Sequence, residues 1–250
     1  MRLVTWNVNG IRAREAQVAE LVARERPDVL CLQEIKAPRD KVPASLAELP
    51  GYWALWHGET AYSGVGLLVR RELSAGPPAF AHPPFDTETR VATVDVSGVT
   101  FATVYVPNGG KDMDAKLRFL EAMDAWAAET RAAGRALVVA GDVNVALTDL
   151  DVHPKERKAG AIGQRDDERA LVRRILDRGL VDLGRAAAPS DEGLFTWWPP
   201  WRNMRQRNIG WRIDLVLASG DLAARTTRCQ VLADFGTSDH APVLAEMSTS

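Results

Sequence analysis

Short apolar runs recur along the chain, separated by polar segments that contain many glycines and prolines. Runs of this length are typical of buried strands, whereas a helix needs apolar residues spaced three or four apart. The runs that fit the strand pattern cover residues 3–8, 29–32, 65–69, 91–96, 100–106, 136–140, 213–217 and 243–245. We therefore predict a strand at each of these positions.

Three further segments show the spacing of amphipathic helices. Their apolar stripes are Val18, Leu21 and Val22; Phe119, Met123 and Trp126; and Leu171, Val172, Ile175 and Leu176. Each stripe is expected to pack against a core. Strands and helices alternate near both ends of the chain, with several strands in succession between them. This order predicts an α/β protein whose sheets are mixed and covered by helices.

The composition is that of a soluble globular protein, with 46% hydrophobic and 26% charged residues among 250. No linker, repeat or low-complexity segment divides it, so we expect one domain over residues 1–250 and a monomer. No apolar run approaches the roughly 20 residues that span a bilayer, and the first predicted strand starts close to Met1. We therefore expect no signal peptide, no membrane partner and a cytoplasmic location.

Net charge and cysteine content indicate which partners and which catalytic groups the sequence favours. The 31 basic and 33 acidic side chains leave a net charge of -2, which does not favour a nucleic-acid partner, since a phosphate footprint usually shows as excess lysine and arginine. Cys31 and Cys229 are far apart, and Cys31 lies in an apolar run, where a buried reduced thiol is expected. Metal or acid–base chemistry is favoured over thiol chemistry.

Polar side chains stand at the ends of nearly all the predicted strands. They are Asn7, Glu34, Tyr105, Asp142, Asn144, Asp214, Asp239 and His240. A single asparagine or aspartate there would be read as a turn or cap. Turn chemistry does not call for Glu34 directly behind an apolar run, and Asp214 between two apolar residues is costly unless it is paired. If these strand ends converge, they form a hard-cation site with an acid–base set.

An open cluster of oxygen ligands suits Mg²⁺, with Mn²⁺ as a substitute. Zinc would want more histidine or cysteine than this chain's scattered residues provide. Phosphoester hydrolysis explains why carboxylates, carboxamides, an imidazole and a phenol occur together, because a metal offsets developing charge while a carboxylate activates water. Asp214 beside His240 would fix the imidazole tautomer and favour its charged form. The other histidines, His57, His82 and His153, are expected to be packed or surface residues.

Six sequence blocks resemble, in order, those of the exonuclease III and apurinic/apyrimidinic endonuclease branch of the endonuclease/exonuclease/phosphatase superfamily. They are Trp6-Asn7-Val8-Asn9-Gly10, Leu32-Gln33-Glu34 with Lys36, Tyr105-Val106-Pro107-Asn108-Gly109, Gly141-Asp142-Val143-Asn144, Gly210-Trp211-Arg212-Ile213-Asp214 and Ser238-Asp239-His240-Ala241-Pro242. The resemblance covers essentially the whole chain. It implies a four-layer α/β sandwich of the deoxyribonuclease I type, with two mixed β-sheets packed face to face, helices outside, and a site at one sheet edge.

The resemblance also implies a role for each matching residue. The implied metal ligands are Asn7, Glu34, Asp142, Asn144, Asp239 and His240, and the implied catalytic residues are Tyr105, Asp142, Asn144, Asp214 and His240. Glu34 would be the principal metal carboxylate, Asp142 would activate water, and Asn144 would orient it. Asp214 and His240 would face the phosphate as a charge-assisted pair. Tyr105 would act as phenolate or donor, and either one or two ions would bind.

Residues 197–212 combine aromatic and basic side chains. They contain Trp197, Trp198, Trp201 and Trp211, half of the 8 tryptophans, together with Arg202, Arg205, Arg207 and Arg212. The resemblance implies an abasic-sugar pocket walled by Trp197 and Trp211, with Trp201 or Arg202 as a wedge and arginines on backbone phosphates. Trp198 is expected to cover the edge of the second sheet. Asn108 and Arg90 are implied as further substrate contacts.

The activity that the resemblance implies is a Mg²⁺-dependent DNA-repair phosphodiesterase. It would cut double-stranded DNA 5′ to abasic sites and act on 3′ ends as a 3′–5′ exonuclease or end-cleaning enzyme in base excision repair. Superfamily hydrolases of lipid or inositol phosphates share the acidic blocks and stay as an alternative. A catalytically silent nucleic-acid binder is disfavoured, because clustered acids are costly to bury. Two departures are Asn9, where some members have aspartate, and the segment 150–169, whose DNA contacts are open.

Overall fold

Two six-stranded sheets form the centre of the molecule. The computed structural model describes residues 1–248. The strands are β1 Arg2–Asn7, β2 Val29–Gln33, β3 Tyr52–His57, β4 Val65–Arg70, β5 Phe80–Ala81, β6 Val91–Val96, β7 Val99–Tyr105, β8 Ala136–Asp142, β9 Leu180–Asp182, β10 Asp214–Ser219, β11 Thr226–Val231 and β12 Val243–Met247. The first sheet has the order β11-β12-β1-β2-β4-β3, and the second has the order β5-β6-β7-β8-β10-β9.

Helices cover the outer faces of both sheets. They are α1 Glu15–Glu25, α2 Ala44–Ala47, α3 Met113–Ala132, α4 Asp166–Leu176, α5 Leu183–Ala187 and α6 Gly220–Ala223. The three predicted apolar stripes lie on α1, α3 and α4. This arrangement confirms the predicted four-layer sandwich. None of the helices in residues 1–248 combines the length and the apolarity needed to cross a membrane.

Alternation along the strands divides the apolar side chains into three layers. On β2, Val29 and Cys31 point into the core between the sheets, where Phe101 of β7 also lies. The intervening Leu30 and Leu32 point outward and pack against α1. The outer face of the second sheet packs in the same way against α3 and α4. Burial raises the pKa of the free Cys31 thiol to about 12, so it is an inert core residue.

The eight predicted strands are the inner strands of the two sheets, and the four that sequence reasoning missed are the edge strands β3, β5, β9 and β11. An inner strand that is covered on both faces reads as a continuous apolar run. An edge strand has one open side, and four of the six residues of β11 are polar. Strands β5 and β9, with two and three residues, are too short to form an apolar run. Strand β3 does contain such a run, from Tyr52 to Trp56, and sequence reasoning overlooked it.

Strand direction brings the predicted polar residues to one edge of the sandwich. Strands β1 and β2 run parallel, as do β7 and β8, so their carboxyl ends lie together. Strand β10 is antiparallel to β8, and β12 is antiparallel to β1, so their amino ends lie at that edge too. Asp214, the first residue of β10, is registered directly opposite Asp142, the last residue of β8.

A buried polar bridge joins the two sheets just below this edge. The Gln33 side-chain amide donates to the Thr5 hydroxyl at 3.0 Å in its own sheet and to the Thr103 hydroxyl at 2.9 Å in the other. All three residues are fully buried. Because unpaired buried polar groups cost free energy, this bridge fixes how the two sheets are aligned beneath the strand ends.

Candidate active site

The polar strand ends surround a cavity of about 230 Å³ at the edge of the sandwich. Its lining is Glu34, Tyr105, Asn108, Asp142, Asn144, Ile162, Gly163, Trp197, Trp211, Ile213, Asp239 and His240. Four of the five predicted catalytic residues are among them, and the fifth, Asp214, lies directly behind His240. Residues from both sheets therefore meet at one site.

Asn7 links the acids of the two sheets. Its side-chain nitrogen donates to Glu34 Oε1 at 3.0 Å and to Asp142 Oδ2 at 2.9 Å. Its side-chain oxygen accepts from the backbone N–H of Asn9 at 3.0 Å, which fixes the orientation of the carboxamide. The other Glu34 oxygen pairs with the Lys36 ammonium at 2.6 Å. Asn7 thus holds one oxygen of each carboxylate beside the cavity.

The backbone turns sharply where Glu34 and Asn144 enter the site. Both residues are left-handed, with φ of 51° and 54°. This conformation is uncommon for residues other than glycine and costs about 1 kcal/mol or more for a side chain such as glutamate. The Glu34 carbonyl is anchored by the N–H of Gly10 at 2.7 Å. The strained turn at Glu34 lets the chain leave β2 while the carboxylate points into the cavity.

His240 is the buried cation of the cluster. Its Nδ1 lies 2.9 Å from Asp214 Oδ2, and its Nε2 lies 3.9 Å from Asp142 Oδ2. Burial alone lowers the pKa of His240, but the charges of Asp214, Asp142 and Asp239 outweigh burial and raise it to about 10. The imidazole therefore carries both protons at neutral pH. Nδ1–H donates to Asp214, and Nε2–H is left for the cavity.

Asp142 is destabilised as an anion in the absence of a cation. Burial raises its pKa from 3.8 to about 7, with the nearby Asp214 and Glu34 charges adding to the rise and His240 offsetting part of it. Its Oδ1 accepts from the backbone N–H of Asn144 at 2.9 Å. The carboxylate is therefore oriented through both oxygens, and its charge near neutral pH depends on what else enters the site.

Tyr105 is a neutral hydrogen-bond donor. Burial raises the pKa of its phenol well above the ordinary value of 10, and the charges of Glu34 and Asp142 raise it further. Of the two roles that the resemblance left open, the structure favours the neutral donor. Arg90 packs with its guanidinium carbon 4.6 Å from the Tyr105 ring centre and is 1% exposed.

The donors of Arg90 are used inside the protein. They reach the Glu88 carboxylate at 2.7 Å, the Tyr62 hydroxyl at 3.0 Å and the Tyr105 carbonyl at 3.4 Å. A buried guanidinium with these partners holds Tyr105 in place. Direct contact of Arg90 with substrate stays a prediction, as it does for Asn108, which is exposed and lines the cavity.

Lys116 supports the two asparagine loops, and sequence reasoning missed it. Its ammonium donates to the Asn144 carbonyl at 2.7 Å and to the Asn108 carbonyl at 3.1 Å, and it forms a fully buried ion pair with Glu168. Burial lowers the pKa of Lys116, and Glu168 offsets part of that effect. Lys116 shares the buried face of α3 with Phe119 and Leu120. A lysine in the apolar stripe was the signal that could have identified it.

Trp197 and Trp211, the two predicted pocket walls, line the cavity. The Trp197 and Trp211 rings meet edge to face, with centres 5.9 Å apart and planes at 89°. Trp197 Nε1 donates to Asp239 Oδ2 at 3.0 Å, and Asn9 donates to Asp239 Oδ1 at 2.8 Å. Ile162, which is 39% exposed, adds an apolar rim that the unassigned segment 150–169 did not suggest.

Outside the cavity, the aromatic and basic loop divides into two groups. Trp201 is 57% exposed, and Arg202 and Arg207 are exposed beside it. Trp198 is buried with Phe195, and Val231 of β11 packs against this cluster, so Trp198 covers the edge of the first sheet and not of the second. The DNA contacts of Trp201 and Arg202 stay predictions.

The expectation that all four loop arginines face phosphates is wrong for two of them. Arg212 is 2% exposed, and its donors reach Asp151 at 2.6 Å and Asp182 at 2.7 Å. Arg205 donates to backbone carbonyls of residues 233–238, among them the Ser238 oxygen at 2.6 Å. Both guanidiniums stabilise the fold, because internal acceptors already occupy them.

The donor set fits a divalent cation. One ligand atom each from Glu34, Asp142 and His240 lie within 4.8 Å of one another. Asp214 Oδ1 is buried without a hydrogen-bond partner among the described residues, which adds to the unbalanced negative charge. Mainly oxygen donors and excess negative charge match the ligand preferences of Mg²⁺ and Mn²⁺.

Comparison with known proteins identifies a family and several similar structures. The profile described as "Endonuclease/Exonuclease/phosphatase family" matches residues 4–240. The chain is 33% identical over 249 residues to the exodeoxyribonuclease of Bacillus subtilis, covering 97% of this chain and 98% of that protein. It is similar to the solved 3′ phosphatase NExo from Neisseria bound to a product DNA hairpin, with a TM-score of 0.90, 33% identity and 100% coverage of both chains. An AP endonuclease from Archaeoglobus fulgidus superposes with a TM-score of 0.89, 28% identity and 100% coverage of both chains.

The charge on Asp142 should limit the stability of the cation-free protein. Because its folded-state pKa of about 7 exceeds the ordinary 3.8, its contribution to stability is present below about pH 4 and is lost as pH rises through about 7. With chelator present, Asp142→Asn should raise the free energy of unfolding at about pH 8 by about 1–3 kcal/mol and leave it nearly unchanged at about pH 4. Urea denaturation at both pH values measures this.

The matched control is Glu121→Gln, which removes an exposed acid from α3. It should change the free energy of unfolding by less than about 0.5 kcal/mol at either pH. Equal stability of Asp142→Asn and the unsubstituted chain at about pH 8 would contradict the repulsion inferred at this site.

Proposed function

Because the chain belongs to the endonuclease/exonuclease/phosphatase family, we propose that it is a DNA-repair phosphodiesterase that uses Mg²⁺ or Mn²⁺. It cuts duplex DNA 5′ to abasic sites and removes nucleotides or blocking groups from 3′ ends. One observation carries the proposal: the acid–imidazole cluster and two tryptophan walls line the same cavity. Similarity over nearly the whole chain to an exodeoxyribonuclease and to an AP endonuclease supports it.

Glu34 is the principal residue to hold the cation, with Asp239 and the carboxamide of Asn7 close by. When bound, the cation supplies a Lewis acid that offsets negative charge on the scissile phosphate. His240 can ligate only as a neutral imidazole, and its raised pKa favours the protonated form. The proposal therefore uses one ion at Glu34 and keeps His240 as a proton-bearing group.

Asp142 acts as the general base that orients and deprotonates the attacking water. A general base must be unprotonated at the working pH, and its pKa must lie near that pH so that it can accept a proton readily. The pKa of Asp142, near 7, meets that requirement once a positive charge enters the site. Asn144 follows Asp142 by two residues. Its side-chain nitrogen donates to the Val106 carbonyl at 2.9 Å, which turns its side-chain oxygen toward Asn108 and the cavity.

His240 and Tyr105 stabilise charge on the phosphate as it reacts. Asp214 holds the imidazolium through Nδ1, so Nε2–H is free to donate to a phosphate oxygen. The neutral Tyr105 phenol, which lines the same cavity, is a second donor. Because Arg90 fixes Tyr105 and Asp214 fixes His240 before substrate binds, little reorganisation is needed when charge develops.

The substrate's sugar fits between the tryptophan walls. A right-angled pair of indole rings, with Ile162 at the rim, offers apolar surface to a deoxyribose that has lost its base and been turned out of the stack. A second cavity of about 600 Å³ adjoins the site at Asn108 and is bordered by Lys111 and Arg118. These cationic side chains are placed to follow the phosphates of the bound strand.

Cleavage of a duplex with an abasic-site analogue tests the activity. We expect strand scission 5′ to the site with Mg²⁺, none with chelator, and a rate about 10³-fold lower for Asp142→Asn with DNA binding retained, since a general base contributes about 10²–10⁴-fold. Glu121→Gln is the control and should cleave normally. Turnover of an inositol or lipid phosphate with no action on DNA would favour the alternative hydrolase, and binding without cleavage by the unsubstituted chain would favour a silent binder.

Trp211→Ala tests the sugar pocket. Loss of an apolar wall should lower abasic cleavage by about 10–100-fold while leaving hydrolysis of a small activated phosphodiester within about threefold, because the small substrate does not use the wall. Trp53→Ala on the edge strand β3, away from the cavity, is the matched control. Equal losses on both substrates would show that Trp211 supports the fold or the cation site.

A further inference from the structure

Three side chains outside the active site converge where the outermost strands of the two sheets approach each other. His57 ends β3, the edge strand of the first sheet. His82 follows β5, the edge strand of the second sheet, and Asp86 lies in the loop that leads to β6. We propose that these residues form a second, zinc-type metal site that joins the two sheets at this edge. It shares no residue with the catalytic cluster.

The three residues are already in contact. His57 Nε2 lies 2.5 Å from Asp86 Oδ2, and the His57 and His82 rings stack with centres 3.8 Å apart and planes at 22°. One ligand atom from each residue lies within 4.8 Å of the other two. Sequence reasoning placed both histidines as packed or surface residues, because His57 lies in a different part of the chain from His82 and Asp86.

The remaining polar atoms of two of these ligands are held by the backbone. His82 Nδ1 lies 3.3 Å from the Val91 carbonyl, which can only accept, so Nδ1 carries the proton and the lone pair is on Nε2. Asp86 Oδ1 accepts from the N–H groups of Arg90 and Val91, both at 2.8 Å, which leaves Oδ2 facing His57. Outer bonds of this kind fix the tautomer and orientation of metal ligands in proteins.

Two imidazoles and one carboxylate favour zinc over magnesium. Zinc bonds of about 2.0–2.2 Å at tetrahedral angles place ligand atoms about 3.3–3.5 Å apart. The His57–Asp86 pair would have to separate by about 1 Å, and the His82 ring would tilt away from the stack. His82 is exposed, so this tilt meets little packing resistance, and water completes the fourth position.

The site is placed to stabilise the loop that supports Tyr105. Asp86 organises the turn into β6 through the N–H groups of Arg90 and Val91, and Arg90 in turn packs on the Tyr105 ring. A cation on Asp86 would tie this turn to His57 in the opposite sheet. Its role is therefore structural, and it does not depend on the proposed function.

Zinc binding to the metal-free full chain tests the proposal, by competition with a chromophoric chelator and by thermal unfolding. His82→Asn should lose one equivalent of bound Zn²⁺ that Glu34→Gln, altered in the catalytic cluster, retains. At a Zn²⁺ concentration about 100 times the Kd of this site, the midpoint of unfolding should rise by about 5–10 °C more in the unsubstituted chain than in His82→Asn, since Zn²⁺ at the catalytic cluster would stabilise both alike. Glu34→Gln should keep a rise of about 5–10 °C.

His153→Asn is the matched control, because it changes the one histidine outside both clusters. It should bind Zn²⁺ like the unsubstituted chain. Since His82 is exposed, His82→Asn should unfold without metal at the same temperature as the unsubstituted chain, which separates loss of the site from loss of the fold. Equal Zn²⁺ stoichiometry in His82→Asn and the unsubstituted chain would overturn the proposal.

Discussion

The Asn7 carboxamide connects two carboxylates, one from each sheet, whose negative charges repel each other. Asn7, at the end of the inner strand β1, donates one N–H to Glu34 in its own sheet and the other to Asp142 across the sandwich. The sheets are aligned just below by the Gln33 bridge to Thr5 and Thr103. The site exists because these buried hydrogen bonds fix the strand ends before any cation or substrate arrives.

The remaining features of the site follow from this concentration of negative charge. The negative charges of Asp214 and its neighbours raise the pKa of His240, so the imidazole stays protonated at neutral pH. Burial and the same charges raise the pKa of Asp142 to about 7. Burial raises the pKa of Tyr105, and the Glu34 and Asp142 carboxylates raise it further, so the phenol stays neutral. One environment therefore produces a protonated imidazole, a carboxylate with a raised pKa and a neutral phenol, which are the groups that the proposed phosphodiester hydrolysis would use beside a metal ion.

Overall charge is a poor guide to the partner of this protein, because many cations are used internally. Arg212 pairs with Asp151 and Asp182, Arg205 holds backbone carbonyls, and Lys116 supports the asparagine loops. The exposed cations near the cavity are fewer than the loop sequence suggested. They are Lys111, Arg118, which pairs with the exposed Asp112, and Arg202 and Arg207.

Sequence patterns predicted what depends on local burial and missed what depends on distant partners. The inner strands and the polar residues at their ends could be read directly, because burial on both faces gives continuous apolar runs and makes a carboxylate conspicuous. Of the edge strands, β11 is mostly polar and β5 and β9 are short, whereas the apolar run of β3 was overlooked. The Lys116–Glu168 pair and the His57–Asp86 contact join residues that are far apart in sequence, so only the fold reveals them.

The protonation state of His240 tests the central claim most directly. Nitrogen NMR of the metal-free protein, followed from about pH 5 to about pH 11, reports the two ring nitrogens separately. Both should stay protonated through about pH 8 and titrate near the pKa of about 10, and Asp214→Asn should return the titration toward 6.5. A neutral His240 imidazole at about pH 7 in the unsubstituted chain would contradict the account, because the charges gathered at the strand ends would then not control the site.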